Sequence, residues 1–498
     1  MIVIYRNDEL TIEQKAVIGK LYANDNVVIV NSLDKINELE NVSRLIIVDS
    51  DTEEDWLQKH VQSLVKLFSS GIPDIRWLMG TGELLKRKRK EKESVLFVFP
   101  GSIVPLTMGS HIRAFNTLLN LRKMGYGIDV LIPGGKNNNQ VKQGLEFIAE
   151  NVYFYRNKKK RYPFAIRVKR YIEQKIRIYQ GKSSNLPDLF SERNFYKPTE
   201  SLKRWVVRLF LTKKYSYIYV NYAWMVDCVQ YLDDISDEYK LICDTHDVQY
   251  YRNTNLLSRK ERVFFNSEKE KKLELKNLRK ADVTVAISPS DYDLLRTELN
   301  GKVSSCFPGF DYAMKPVRMR CKGRPIHFGF IGGGMEANVL AVKYILDHWW
   351  PIIQKHSPES IFYIAGSICN NSEINEYSFY SPNIELLGFV KSIDDYYKLI
   401  EVSLNPVIVS GGLNFKSVES VVAGKHLFTN KLGSVCLGND FPCVIIDEVS
   451  SLISEMDKIE FNMQEDKRRR IENQNKALQK FGDKKFIEKM RGVLDGLQ

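Results

Sequence analysis

The sequence predicts an α/β protein with two doubly wound domains that face a cleft, preceded by a small α/β module. Two observations support this prediction. Short apolar runs alternate with helix-like segments through most of the 498 residues, as in parallel sheets whose strands are joined by right-handed helical crossovers. A basic, proline-containing stretch, FDYAMKPVRMRCKGRP at 310–325, separates two long series of such runs. A chain of this length also has room for two or three domains.

The predicted domain boundaries follow these runs. Residues 1–85, with the apolar runs MIVIY, NVVIV and RLIIV, form a small accessory module, and the charged run KRKRKEKE makes 86–93 a linker. The first large domain spans 94–312 and begins with the apolar run SVLFVFP. The second spans 322–480 and begins with IHFGFIG, and 481–498 form a C-terminal helix.

Composition limits the class of protein. A hydrophobic content of 44% and a charged content of 27% are typical of a globular protein. The net charge of +12 favours an anionic partner, such as nucleic acid, a phospholipid surface or a phosphorylated substrate. Seven cysteines without CxxC spacing argue against a disulfide framework or a zinc site and for a reducing compartment. Neither a signal peptide nor an apolar stretch of about 18 residues is visible, so we expect a cytoplasmic protein.

The stretch SGGLNFKSVESVVAGK at 410–425 directly follows the apolar run VSLNPVIV. Gly411 and Gly412, between a strand and a helix, let backbone N–H groups approach a ligand, and a helix N-terminus attracts anions. Lys416 adds a positive charge, and the Glu419 carboxylate, one turn later, accepts hydrogen bonds from hydroxyl groups. The pattern predicts a ligand with a phosphate end and a hydroxyl end. The alternative is a packing turn with a solvated lysine.

A second glycine turn, in HFGFIGGGMEAN, places Gly332, Gly333 and Gly334 between a strand and a helix. The spacing is not GxGxxG, and no acidic residue ends the next predicted strand, so a dinucleotide site is disfavoured. Both glycine turns belong to one predicted sheet and would present N–H groups to the same crevice. Close packing of the helix on the strand is the alternative.

His246 and Asp247 lie in DTHDVQYYR, at a predicted strand end. Histidine titrates near neutrality, so the two residues could form an acid/base pair. A metal site would need a third ligand, and the neighbouring sequence offers none at a suitable spacing. A helix cap beside a buried histidine remains an open alternative.

The strongest charge signal is the segment 156–179. Ten lysines and arginines between Arg156 and Arg177 face a single acid, Glu173. A basic amphipathic helix of this kind lies on an anionic bilayer, or packs its apolar stripe on its own domain. Nucleic acid is disfavoured because no aromatic residues are interleaved with the basic ones on a strand. The apolar stripe consists of Ala165, Val168, Ile172, Ile176 and Tyr179.

Several long motifs resemble a known family. They are FGFIGGGMEANVLAVKYILDHWWPIIQKHSPESIFYIAG and IELLGFVKSIDDYYKLIEVSLNPVIVSGGLNFKSVESVVAGKHLFTN in the second domain, and FVFPGSIVPLTMGSHIRAFNTLLNLRKMGYGIDVLIP in the first. Through about 94–480 the chain resembles the retaining glycosyltransferases with the two-Rossmann GT-B fold, in particular bacterial glycosyltransferase family four. The resemblance implies a nucleotide-sugar donor in the second domain and an acceptor in the first.

The resemblance also implies roles for donor-side residues. Glu419 falls on the second glutamate of the family motif, which accepts hydrogen bonds from the ribose hydroxyls. Lys416 would hold the diphosphate with the glycine N–H groups, and the residues after IELLG would meet the base. The implied donor-binding residues are Gly109, Gly333, Gly334, Phe389, Val390, Gly411, Gly412, Leu413, Asn414 and Glu419.

On the acceptor side, the family places a histidine close to the donor sugar and the acceptor hydroxyl, and this position matches His246. An arginine soon after matches Arg252, and Arg113 belongs to the first loop of the acceptor domain, where the backbone approaches the sugar phosphate. We therefore predict His246, Asp247 and Lys416 as catalytic residues, and Arg113 and Arg252 as acceptor-side residues.

The sequence departs from the family pattern at two places. The first motif glutamate falls on Gly411, which removes a contact to the transferring sugar and leaves its identity open. The turn GGGMEAN also lacks the arginine and lysine that clamp the diphosphate in many family members, so Lys416 becomes the main candidate for that charge.

Asp49 and Asp51, in IIVDSDTEED, suggest the metal-binding DxD of the other major glycosyltransferase fold. Too little chain precedes them to build the nucleotide site of that fold. A polar strand exit with a helix cap is the favoured interpretation, and no metal is expected.

The sequence thus predicts a retaining, metal-independent glycosyltransferase that needs no cofactor beyond its nucleotide-diphosphate sugar. The expected acceptor is a glycan or a polyprenyl-diphosphate-linked sugar, in bacterial surface polysaccharide or glycolipid assembly. By resemblance, 481–498 would return to the acceptor domain. Two alternatives stay open: a nucleotide-sugar epimerase or hydrolase of the same fold, and a catalytically silent binding or scaffold protein that recruits partners through 1–85.

Overall fold

A computed structural model describes most of the chain from residue 93 onward and four short strands before it. The described residues are 2–5, 27–30, 44–49, 75–79, 93–104, 106, 108–134, 139–145, 148–155, 198–232, 235–236, 238–256, 267–307, 309–310, 317, 319–381, 383–390, 393–408, 413–438 and 440–497. The predicted basic helix in 156–179 and the linker 86–92 lie outside them.

The strands form three sheets. In chain order they are β1 (Ile2–Tyr5), β2 (Val27–Val30), β3 (Arg44–Asp49), β4 (Ile75–Met79), β5 (Ser94–Val98), β6 (Gly127–Pro133), β7 (Asn151–Tyr155), β8 (Tyr217–Asn221), β9 (Lys240–Asp244), β10 (Val283–Ala286), β11 (Val303–Ser305), β12 (Phe328–Ile331), β13 (Phe362–Ala365), β14 (Ile384–Gly388), β15 (Val402–Leu404), β16 (His426–Thr429) and β17 (Val444–Ile445).

Helices lie between most of the strands from β5 onward, and three more follow β17. They are α1 (Gly109–Lys123), α2 (Asn139–Leu145), α3 (Glu200–Thr212), α4 (Gln249–Leu256), α5 (Ser267–Leu278), α6 (Pro289–Glu298), α7 (Glu336–Tyr344), α8 (Trp350–His356), α9 (Ser372–Tyr380), α10 (Ile393–Leu399), α11 (Phe415–Val422), α12 (Lys431–Leu437), α13 (Val449–Phe461), α14 (Met463–Phe481) and α15 (Asp483–Asp495), with a π-helical turn at Ile345–Trp349 and 3₁₀ turns at Ala223–Val229 and Ser367–Asn370.

The four N-terminal strands make a parallel sheet in the order β2-β1-β3-β4. Three of them coincide with the apolar runs that predicted the accessory module. Asp49 is the last residue of β3, and Asp51 lies outside the described residues.

The second sheet has seven strands in the order β11-β10-β9-β8-β5-β6-β7. The chain runs from β5 outward to β7, returns beside β5 as β8, and continues the other way, which is the doubly wound pattern. Every residue of β6 and β8 is buried. Continuous apolar runs of this kind are typical of parallel strands covered on both faces.

The third sheet has six strands in the order β14-β13-β12-β15-β16-β17, and all its pairs are parallel. This is a second Rossmann-like sheet, and its strand order reverses between β12 and β15. The two doubly wound sheets confirm the predicted fold class. In open sheets of this type, ligands bind beyond the carboxyl ends of the strands at the point of reversal.

Both faces of the six-stranded sheet are covered. Along β13, Phe362 and Ile364 belong to one buried cluster with Trp349 and Trp350, whereas Tyr363 belongs to a second cluster on the other face. Successive side chains of a strand point to opposite faces. The alternation therefore shows helices packed on both sides, which leaves the strand ends as the place for a ligand.

Helices α14 and α15 are separated at Gly482. A Cβ atom at this residue would lie 2.3 Å from the carbonyl oxygen of Leu478, so glycine is required for the close approach. The Phe310 N–H donates to the Phe481 carbonyl at 2.9 Å, and the Asp483 N–H donates to the Phe310 carbonyl at 3.0 Å. The segment after β11 is thus bonded to the junction between the last two helices.

A buried ionic group joins α14 to β16 and the turn before it. The His426 Nε2 and the Asp466 Oδ1 lie 2.5 Å apart, and the Arg470 guanidinium donates twice to Asp466 Oδ2, at 2.9 and 2.7 Å. Arg470 also donates to the Gly424 carbonyl at 3.3 Å. All three side chains are at most 5% exposed. Helix α14 is therefore fixed against the end of α11.

No described helix combines the length and the apolar character that crossing a bilayer requires.

Candidate functional site

The glycine turn after β12 lies at the point where the strand order of the six-stranded sheet reverses. Gly333 and Gly334 are exposed, and the Gly334 N–H donates to the Ser367 hydroxyl at 3.2 Å. The turn passes close to the end of β13. Gly366 has a φ of 97°, and a Cβ atom there would lie 2.3 Å from the Gly332 carbonyl oxygen. Two successive strand ends therefore meet backbone to backbone, which leaves the crest of the turn open.

Lys416 is the second residue of α11, and its side chain reaches the β12 turn. The ammonium donates to the Asn338 amide oxygen at 2.5 Å and lies 4.2 Å from the centre of the Phe330 ring. The Asn338 amide nitrogen in turn donates to the Gly333 carbonyl at 2.8 Å. The structure thus brings together residues from the two glycine turns. Asn338 is the link between them.

Of the α11 motif, Gly411 and Gly412 lie outside the described residues. Leu413 is buried at 7% exposure and Asn414 is the N-cap of α11, without a side-chain hydrogen bond to the helix. An N-terminus without a side-chain cap leaves backbone N–H groups for another acceptor.

The electrostatics around Lys416 favour an anionic ligand. Burial lowers the pKa of Lys416 to about 7, and the charge of Glu419 opposes this shift. Desolvation disfavours the ammonium form, and a nearby negative charge favours it. A phosphate at the N-terminus of α11 would therefore restore the full charge of Lys416.

Glu419 lies one helical turn beyond Lys416 and is half-buried. Its charge acts on Lys416 and on Tyr397, whose pKa is raised well above 10, chiefly by burial and further by Glu419. The carboxylate thus lies on the side of α11 that faces α10. A ligand held by Lys416 could reach it with a hydroxyl group.

Phe389 and Val390 follow β14 directly. The Gly366 N–H donates to the Gly388 carbonyl at 2.7 Å, so this loop adjoins the same group of strand ends. Phe389 is 80% exposed, while Val390 packs against the cluster of Tyr363 and the tyrosines of α10. An exposed phenyl group at this edge is available for stacking or apolar contact with a planar ligand.

In the seven-stranded sheet, His246 lies just beyond β9 and is 4% exposed. Its φ is 57°, and its N–H donates to the Asp244 carboxylate at 3.3 Å. The imidazole stacks on the Tyr222 ring with centres 4.4 Å apart. The ring is therefore held in one place by packing.

Asp247 and Arg252 form an ion pair, with 3.6 Å between Oδ2 and Nε. Burial raises the pKa of Asp247, and Arg252 opposes this effect. The Glu274 carboxylate of α5 accepts the N–H groups of Gln249 and Tyr250 at 2.9 and 2.8 Å. These bonds fix the start of α4 and with it the preceding loop.

The loop after β5 ends earlier than the sequence suggested. Gly109 is the first residue of α1, so His111 and Arg113 belong to the first turns of that helix. Arg113 is completely buried and His111 lies edge-on to Phe99 with ring centres 6.2 Å apart. The sequence analysis placed this segment in a loop. In the structure, the helical pattern of apolar residues that follows Gly109 extends back to this glycine.

Three residues that contact these loops or belong to them were not predicted from the sequence: Asn338, Tyr222 and Glu274. Asn338 lies in the first turn of α7, and an asparagine at this position belongs to no recognisable sequence motif. Glu274 lies on α5, remote in sequence from the loop it supports. Among the described residues, no group of three or more His, Cys, Asp or Glu is arranged to hold a metal ion.

Residues 325–458 match the protein family described as Glycosyl transferases group 1. A search of curated proteins finds no match to the chain.

Several solved structures share the fold at low sequence identity. Anabaena HepE in complex with UDP and glucose is 13% identical with a TM-score of 0.53, and the alignment covers 81% of this chain and 100% of that one. Sucrose-phosphate synthase from Thermosynechococcus elongatus is 11% identical with a TM-score of 0.58, covering 82% and 99%. A variant of S. aureus TarM, in complex with Fondaparinux, alpha-GlcNAc-glycerol and UDP, is 10% identical with a TM-score of 0.55, covering 81% and 99%.

The fold is that of GT-B proteins, with two Rossmann-like domains. The matched domain at 325–458 is similar to group 1 glycosyltransferases and contains the whole Lys416 site. Together these findings support a glycosyltransferase of the GT-B superfamily.

Proposed function

We propose that this protein is a retaining glycosyltransferase that moves a sugar from a nucleoside-diphosphate sugar to a glycan or a polyprenyl-diphosphate-linked acceptor. The observation that carries the proposal is the contact of Lys416 with Asn338 where the strand order reverses. It places a cation, a helix N-terminus and an exposed glycine turn around one position, and diphosphate binds such an arrangement.

In the proposed reaction, the bond between the sugar and the diphosphate breaks and negative charge develops on the leaving phosphate. Lys416, the α11 dipole and the N–H groups of the glycine turn would stabilise that charge. Glu419 would accept hydrogen bonds from the ribose, and Phe389 and Val390 would contact the base. No metal and no cofactor is required, because the fixed positive groups replace a bound cation.

On the acceptor side, His246 would contact the transferring sugar or the attacking hydroxyl, with Asp247 and Arg252 next to it. We propose that the acceptor attacks on the face from which the diphosphate departs, so that the anomeric configuration is kept and no carboxylate nucleophile is needed. UDP bound to HepE and to TarM supports a nucleotide in the donor domain.

The setting we propose is surface polysaccharide or glycolipid assembly, with the basic segment 156–179 resting on the anionic inner face of a membrane. The net charge of +12 supports an anionic partner. Flotation with anionic and with zwitterionic vesicles tests this part: co-flotation with the anionic vesicles alone is expected.

The decisive experiment is to incubate the purified 498-residue chain with a panel of nucleoside-diphosphate sugars, with and without glycan or polyprenyl-diphosphate acceptors. Nucleotide release that depends on the acceptor supports transfer, and NMR of the product reports whether the anomeric configuration is retained. Release without acceptor would indicate a hydrolase, and binding without release a silent GT-B protein. Absence of both binding and release contradicts the proposal.

A further inference from the structure

Tyr222 and His246 share an unusual backbone conformation at neighbouring strand ends. Their φ angles are 72° and 57°, in the left-handed region, and each residue follows a strand of the seven-stranded sheet. The Tyr222 N–H donates to the Asp244 carbonyl at 2.7 Å, so the exits of β8 and β9 are bonded to each other. The two side chains are thereby brought to the same edge.

The left-handed region is disfavoured for bulky side chains and persists only where the surrounding structure enforces it. Asparagine and glycine adopt this region with less strain. A tyrosine at this position therefore indicates that its ring has a use that outweighs the backbone strain.

The ring of Tyr222 is covered on both faces. On one side it stacks on His246, with ring centres 4.4 Å apart and an angle of 21° between the planes. On the other side it stacks on Trp224, at 4.2 Å and 18°. Trp224 is only 7% exposed, so it forms a fixed base for the stack. In the order Trp224–Tyr222–His246, the imidazole lies at the opposite end of the stack from Trp224.

We propose that Tyr222 is a positioning residue that fixes the plane of the His246 imidazole for sugar transfer, with Trp224 supporting it from behind. The inference rests on the proposed function, since it assigns the imidazole a role toward the sugar or the attacking hydroxyl. The His246 backbone is held separately by its bond to Asp244. The stack therefore controls the remaining freedom of His246, which is rotation of its side chain.

Two substitutions separate the ring from the backbone. Tyr222→Asn tolerates the left-handed conformation and removes the ring, whereas Tyr222→Phe keeps the ring and removes only the hydroxyl. We expect Tyr222→Asn to lower kcat at least tenfold with an unchanged KM for the donor, and Tyr222→Phe to stay within about twofold of the wild type. A merely structural role would instead change folding stability without this split between kcat and KM.

A measurement without substrate tests the fixed position of the imidazole separately from the proposed function. In histidine-labelled protein, the His246 imidazole resonances, identified from their loss in His246→Gln, should be shifted upfield by the Tyr222 ring current. They should move downfield in Tyr222→Asn and stay in place in Tyr222→Phe. If Tyr222→Asn does not fold, Trp224→Leu is the second variant, with a smaller downfield movement expected.

The outcomes are distinct. Identical His246 resonances in wild type and Tyr222→Asn, or full kcat in folded Tyr222→Asn, overturn the positioning role. In the event that Trp224→Leu is used, unchanged resonances overturn it as well. If the wild type turns over no nucleotide sugar while the resonances move as expected, the proposed function fails and the fixed imidazole stands.

Discussion

The Lys416 ammonium donates a 2.5 Å hydrogen bond to the amide oxygen of Asn338 and thereby joins the two glycine turns of the six-stranded sheet. Asn338 is neutral, so it orients the ammonium without neutralising it. The pKa of Lys416 is consequently low, at about 7, because burial is only partly offset by Glu419. Lys416 is therefore only partly protonated near neutral pH, and a bound anion would favour its charged form.

The first prediction concerns the pH dependence of nucleotide binding. Above pH 7 the free protein holds Lys416 partly deprotonated, and a bound diphosphate raises its pKa, so binding takes up a proton. Affinity for the nucleoside diphosphate should therefore fall as pH rises, by at most about tenfold per pH unit above the pKa of the free protein. Calorimetry at pH 8 in two buffers of different ionisation enthalpy measures the uptake. Lys416→Arg, which stays charged, should show none; equal uptake in both proteins would contradict the assignment.

The second prediction compares two lysines of the same domain. Lys416→Met should weaken nucleoside-diphosphate binding about 10- to 100-fold, the size of a lost hydrogen bond to a charged group. Lys425 is the matched control: burial also lowers its pKa, to about 8, but it donates to the Ile400 carbonyl at 2.7 Å. Lys425→Met should lower stability and leave nucleotide affinity unchanged. Equal affinity losses in the two variants would show that the effect is not specific to the site.

The third prediction concerns Glu419 and the pentose. Glu419→Ala should weaken nucleotide binding with the fold intact, because the ribose hydroxyls lose an acceptor. The control is a nucleotide without ribose hydroxyls, titrated against both proteins. The wild type should discriminate against it about tenfold or more, and Glu419→Ala should not. Equal discrimination by the two proteins would show that Glu419 does not contact the ribose hydroxyls.

The fourth prediction concerns the helix cap at Glu274. In Glu274→Gln one carboxylate oxygen becomes an amide that faces a backbone N–H, and the unpaired buried donor should destabilise the protein by about 1–3 kcal/mol. Turnover should fall, because the loop with His246 precedes the capped helix. Urea unfolding and steady-state kinetics measure the two effects. Glu270→Gln, one turn earlier on α5, is the comparison, and it should leave turnover unchanged.

The fifth prediction concerns the buried group of His426, Asp466 and Arg470. Asp466→Asn leaves the Arg470 charge buried without its partner and should destabilise the protein by about 3–5 kcal/mol. The exposed pair of His356 and Asp457, at 3.0 Å, is the control, and Asp457→Asn should change stability by less than about 1 kcal/mol. Denaturant unfolding at pH 7 measures the stability loss of each variant. Similar losses would show that the buried group contributes no more to stability than the exposed pair.

The same group predicts a loss of stability in acid. Burial lowers the pKa of His426, and the folded state therefore resists a proton that the unfolded chain accepts below about pH 6.5. The pKa of Asp466 is also lowered, since His426 and Arg470 together outweigh its burial, so its contribution is lost below about pH 3.9. Unfolding curves between pH 7 and 4 should show the first loss, and Asp466→Asn should alter it.

The fold was predictable because its signal is repeated along the chain. Apolar runs such as those at 127–133 and 217–221 became buried strands. The glycine turn and Lys416 were also visible, since glycine, charge and a strand end stand together in the sequence. Local patterns of this kind can be interpreted from sequence because the structure they predict does not depend on residues distant in the chain.

The remaining parts of the site depend on contacts between residues distant in sequence. Asn338 meets Lys416 across 78 positions, and Glu274 caps a helix that begins 25 positions earlier. Arg113 seemed available to a ligand, but the helix that contains it packs it completely inside. The left-handed backbone of Tyr222 leaves no mark in the sequence, because only the paired exits of β8 and β9 impose it.

Phe310, whose backbone is bonded to both sides of Gly482, also places its ring edge-on against Phe415, 5.5 Å between centres. Phe415 is the first residue of α11 and the neighbour of Lys416. Truncating the protein before Gly482 for crystallisation, or fusing a rigid tag at that point, would disturb one of the contacts of Phe415, the residue next to Lys416. Nucleotide affinity should therefore be compared between tags at either terminus before any value is assigned to the native protein.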